Sequence, residues 1–279
     1  MSRLREKLIF ILIIFIFLSC NHKVDDDEKK VIVVTIPPYK DLVQRITLDN
    51  FNVICSIPEG ATPHHFDPSP KLIQSLSVAD YYLAVGKYME FEDVWLEKIK
   101  GINKNIKIFD LSQNVDYLKS DPHIWLSPAR LRIISENILK TVIDIDSSMQ
   151  DEFNNNYSMV IDSLNIIENE LRESFSKINS KVILSYHGSW EYFADDFGFT
   201  QISIEKGSKS ASAKEMKEIM NIVSNSNVSV IFVDPQHGKS SAEVIAQDLD
   251  LVLDILNPLP TNVFKNFYEM KEIILRHYK

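Results

Sequence analysis

From Val31 onward, short runs of β-branched and aromatic residues alternate with stretches in which apolar positions recur every three or four residues. VIVVT (31–35), FNVICSI (51–57), YYLAV (81–85) and IKIFDL (106–111) have the length and composition of strands buried on both faces. Between them, PYKDLVQRI, KLIQSLSVA and FEDVWLEKI carry a helical period. Ser69 followed by Pro70 reads as an N-cap with proline in the first turn. Such alternation predicts a parallel sheet covered by helices on both faces.

After Ser127-Pro128, a second cap pair, the strands stop for about fifty residues. SPARLRIISENILKTVIDI predicts one helix, and a second restarts near Met149. Val160, Leu164, Ile167, Leu171, Phe175 and Ile178 form its apolar stripe. A helix from 149 to 178 would run about 45 Å, more than one small lobe needs, and so reads as a connector. Strand–helix alternation then returns with KVILSY, FTQISI, VSVIFVD and LVLDIL, and helices near 190–196, 212–225, 240–250 and 261–277. The predicted fold class is α/β: two Rossmann-like lobes, each with a mostly parallel sheet, at 31–145 and 180–279, joined by a single long rigid helix within 146–179. Ligands of such lobes bind beyond the carboxyl ends of the strands, here in an interlobe cleft.

The chain start has its own pattern. Arg3, Arg5 and Lys7 precede eleven apolar residues, Leu8 to Leu18, and then Ser19-Cys20. The run is short for a membrane span and reads as a secretory signal, residues 1–19. FLSC resembles a relaxed bacterial lipoprotein box, so Cys20 is expected to carry lipid at the head of a flexible tether, 20–30. The remaining cysteine, Cys55, then has no disulfide partner. A net charge of -9 argues against a nucleic-acid surface.

Seven histidines are present. His64 and His65 follow the second strand, His123 follows the fourth, and His187 ends the first strand of the second lobe. Their separations, 59 residues from His64 to His123 and 64 from His123 to His187, are far too wide for a local metal motif, so convergence has to be tertiary. Neutral imidazole is a good ligand for zinc and other borderline divalent ions. The pattern itself does not choose between His64 and His65.

IPEGATPHHFDPSP, DPHIWLSP, SYHGSWEYFADDFG, IFVDPQHGKSSAEVIA and NPLPTNVFKNF occur in this order. Together they resemble the zinc- and manganese-binding lipoproteins of bacterial metal-uptake ABC transporters, from about Val31 to the end. The resemblance implies two α/β lobes on one rigid helix with one metal in the cleft. It implies His64, His123 and His187 as ligands, and registers Asn257 where the family commonly carries aspartate. Asp254 and water are the rivals for that fourth place, and His237 is an auxiliary candidate. Asp121 and Glu191 are candidates to hold the imidazoles from behind. The implied cargo is Zn2+, with Mn2+ as the alternative. The implied partners are an ABC permease and its separate ATPase, reached by a monomer held to the membrane through Cys20 and facing the periplasm or exterior. A surface adhesin is the non-transport alternative. A metal-dependent hydrolase ranks last, because the sequence has no H-E-x-x-H or G-x-S-x-G signature.

Overall fold

The computed structural model describes residues 29–64, 66–206, 209–226, 228–236 and 239–278. The expected signal segment, Cys20, His65 and His237 lie outside the described residues. Among those described, no helix is long and apolar enough to cross a membrane.

The first lobe holds β1 (Val31–Val34), β2 (Asn52–Cys55), β3 (Tyr81–Ala84) and β4 (Lys107–Asp110) in the order β2-β1-β3-β4, all parallel. Parallel neighbours need crossovers. Helices α1 (Pro37–Thr47), α2 (Pro70–Val78) and α3 (Glu90–Ile102) supply them. The central strands β1 and β3 are buried on both faces as expected, Ile32 and Val34 entering one apolar cluster and Val33 another, whereas the edge strands β2 and β4 are only partly covered. The predicted cap forms, with Ser69 Oγ accepting from Leu72 N at 3.3 Å.

Helix α4 (Pro128–Ile145) starts at Ser127, whose Oγ accepts from Arg130 N at 3.1 Å. After a single 3-10 turn, Ser147–Met149, the connector α5 runs from Gln150 to Phe175, 26 residues or about 39 Å. It is one turn shorter than its apolar stripe suggests. Ile178 stays buried at 5% exposure because a turn, not the helix, carries it inward. Phe175 closes the helix against the rings of Phe193, Phe197 and Phe199, with centroids 5.3 to 5.8 Å away.

The second lobe holds β5 (Val182–His187), β6 (Thr200–Lys206), β7 (Lys209–Ser210), β8 (Val230–Val233) and β9 (Val252–Ile255) in the order β7-β6-β5-β8-β9. All neighbours are parallel except β7, which turns back antiparallel on β6. Its helices are α6 (Glu191–Phe197), α7 (Ala213–Asn225), α8 (Lys239–Asp248) and α9 (Val263–His277). The largest apolar cluster does not stop at the lobe boundary. It runs from Ile32 and Val34 through Trp125 and the α5 stripe to Phe232, Met270 and Ile274. Polar links cross with it: Trp125 Nε1 donates to the Pro258 carbonyl at 2.6 Å, Val263 N to Asp41 at 2.8 Å, and Arg130 to Asp196 at 2.7 Å.

Candidate metal centre

Each candidate histidine leaves the carboxyl end of a strand. His64 sits in the turn-rich loop after β2, and His187 is the last residue of β5. His123 ends the loop after β4 and opens a 3-10 turn, Ile124–Leu126, that feeds the Ser127 cap. Gly188 follows His187 where the chain runs close over β6. A Cβ there would lie 3.1 Å from Ser203 Oγ and 3.3 Å from Gln201 Nε2.

The fold brings the three histidines together. One ligand atom from each lies within 4.8 Å of the others. His64 Nε2 and His187 Nε2 are 3.2 Å apart, and the ring centroids of His123 and His187 are separated by 5.7 Å. Three nitrogens bound tetrahedrally at about 2.0–2.1 Å from one ion would stand about 3.3 Å apart. One pair therefore already has that spacing, and the third nitrogen has at most about 1.5 Å to close. His187 and His123 are only 3% and 8% exposed, with His64 half-buried at the mouth.

Two carboxylates prepare the rings. Glu90 Oε2 lies 3.0 Å from His64 Nδ1, and Asp121 Oδ1 lies 2.6 Å from His123 Nδ1. Each contact holds the ring proton on Nδ1 and leaves the Nε2 lone pair for the centre, the usual role of a carboxylate behind a ligating imidazole. Asp121 is fixed in turn: its Oδ1 accepts from His123 N, and its carbonyl accepts from Tyr192 Oη of the other lobe at 2.8 Å. Glu191, the other expected carboxylate, lines the cavity but pairs with Lys119 at 2.7 Å, which raises the lysine pKa. Glu90 escaped sequence reasoning. Its only signal was an acid in the first turn of a helix, common for reasons unrelated to ligands.

Two residues further along that helix is Glu92, 3% exposed. It accepts from Val85 N at 2.7 Å, Gly86 N at 2.9 Å and Thr35 Oγ1. It thus pins the start of α3, and Glu90 with it, to the ends of β1 and β3. Gly86 has φ +110°, and a Cβ there would fall 2.2 Å from Ser112 Oγ. Burial pushes the Glu92 carboxyl up to about 7, against the pull of its three donors.

The histidines line a cavity of about 540 Å3 at the interlobe cleft. Asn257 is not among its lining residues; it borders a separate depression between β9 and α9. Its amide oxygen accepts from Leu259 N at 3.0 Å and Gln236 Nε2 at 3.1 Å, which occupies both lone pairs. Asp254 is held by Arg276 and His277 at 3.1 and 2.8 Å; burial pushes its carboxyl pKa up, but the hydrogen bonds from His277 and Ile255 N and the Arg276 charge outweigh it and lower the pKa. Cys55 is half-buried and its thiol donates to the Ile57 carbonyl at 3.0 Å, with burial raising its pKa to about 12.

Residues 32–278 match the model of the family described as zinc-uptake complex component A, periplasmic (ZnuA). The chain belongs to that family. It is 27% identical over 270 residues to a putative metal-binding protein of Chlamydia muridarum, covering 92% of this chain and 95% of that one. With the high-affinity zinc uptake system protein ZnuA of Bacillus subtilis it shares 23% identity over 83% of this chain and 79% of the relative. Among solved structures, a zinc-bound ZnuA deletion mutant superposes with a TM-score of 0.85 at 29% identity, covering 90% of this chain and 98% of that one. The ZnuA fold assignment therefore agrees with the two lobes and connector helix read from the sequence.

Proposed function

We propose that this member of the ZnuA family captures a divalent metal ion, zinc in preference to manganese, outside the cytoplasm and delivers it to an ABC permease powered by a separate ATPase. The observation that carries this reading is the convergence of His64, His123 and His187, from both lobes, onto one cleft. An all-imidazole set suits zinc better than an ion that prefers oxygen. Glu90 and Asp121 supply negative charge behind the rings, which favours a cation in the cleft. Asn257 would join the shell only by giving up two N–H donors, so the fourth position is read as open to solvent or to a ligand brought by the ion. The protein acts as a monomer tethered by lipid on Cys20, and release proceeds by local shifts around His187, since a shared core opposes wide opening of the lobes.

The test is metal analysis of the purified domain from Lys29 to Lys279, with His64→Ala, His123→Ala and His187→Ala. One zinc per wild-type chain and loss of tight binding in each variant are expected. Retention of stoichiometric zinc by all three variants would refute the assignment.

A further inference from the structure

We propose that the cleft accepts its ion as a chelate, with a small carboxylate ligand of the amino-acid or hydroxy-acid class completing the coordination. This rests on the three-imidazole reading above and adds the identity of the fourth ligand. The first observation is size. An ordered water takes about 30 Å3, whereas the cavity is about 540 Å3, within the roughly 300–1,000 Å3 of small-molecule sites.

The second observation is the chemistry of the lining. Its nearest carboxylates are committed, Glu90 to His64, Asp121 to His123 and Glu191 to Lys119. The protein thus places no carboxylate of its own among the three clustered ligand atoms in the described residues. The remaining wall offers donors: the Gln201 amide and the Ser203 hydroxyl on β6, and the Lys119 ammonium at the mouth. An ammonium has three donors, of which Glu191 engages one. A wall of donors around an ion held by neutral nitrogens fits an oxygen-rich anion. The missing side chain of Gly188 keeps the approach from His187 to Ser203 clear, because a Cβ would stand 3.1 Å from the hydroxyl. A chelating amino acid or hydroxy acid would offer the ion one carboxylate oxygen together with its amine or hydroxyl, and turn its other carboxylate oxygen toward Ser203, Gln201 and Lys119.

The experiment loads the domain with zinc in the presence of radiolabelled citrate or L-histidine, removes free ligand by rapid gel filtration, and measures zinc and label together. The expected result is about one label per zinc for at least one of the two chelators, and no label without zinc. In parallel, zinc affinity at a fixed free-zinc concentration is expected to rise at least tenfold as that chelator is added. Zinc-loaded protein that retains neither label, with affinity at fixed free zinc unchanged, overturns the proposal and leaves the metal site standing. Absence of zinc uptake with and without chelator overturns the metal site itself.

Discussion

Glu92 makes stability depend on pH in a direction opposite to that of most carboxylates. Its carboxyl is raised from 4.5 to about 7 in the folded protein, chiefly because burial penalises the charge. Between these values the native state holds a proton that the unfolded chain has lost. Stability from this group is therefore present at low pH and is lost as pH rises toward 7, at about 1.4 kcal/mol per pH unit. The other groups facing it are the Asp110 carboxylate, which raises its pKa further, and the phenols of Tyr39 and Tyr82, which burial keeps neutral throughout this range. Glu92→Gln removes the titration and forfeits part of the acceptor set, a cost that does not vary with pH. Relative to that variant, the wild-type protein should lose about 2–3 kcal/mol between pH 5 and pH 8. Urea unfolding of both proteins at several pH values, after exhaustive removal of metal so that binding adds nothing, measures the difference. Two stability curves that stay parallel within about 0.5 kcal/mol across the range would refute the argument.

Asp121→Asn should weaken zinc binding by roughly 10–100-fold, because the ring of His123 loses the carboxylate that fixes its tautomer. Glu90→Gln should cost less, since Glu90 is 51% exposed and water can replace it; competition with a fluorescent zinc chelator ranks the two. Asn257→Ala should keep one zinc per chain while lowering stability by about 1–3 kcal/mol, because Leu259 N loses its acceptor; loss of zinc at full occupancy of the fold would restore Asn257 to the ligand set. Ser127→Ala should cost about 1–2 kcal/mol in chemical denaturation, from the cap on α4 together with its contact to Asp196 at 2.5 Å.

The features legible in the sequence are those set by local rules. Ser69 and Ser127 announce their helices because a cap needs only its own turn. The stripe from Val160 to Phe175 is buried as its period requires. The histidine cluster was legible because parallel topology sends strand ends toward a common cleft. What escaped depends on distant geometry. Glu90 meets His64 across 26 residues, and Glu92 finds its donors on two strands that only the folded sheet brings together. Asn257 was placed by alignment of a short motif, and motif position does not reveal that its own loop already uses its oxygen. The end of α5 was overestimated because a turn can extend an apolar stripe as well as a helix can.

The single core spanning both lobes has a consequence for how the chain is made. Helix α9, the most C-terminal of the described elements, packs on α1 and α5, and its first amide is anchored on Asp41 in α1. Until those 15 residues are synthesised, the apolar face awaiting Phe267, Met270 and Ile274 stays wet. A first lobe made without α9 should therefore be a sticky, protease-sensitive fragment, and the shared core closes only once that helix has left the ribosome.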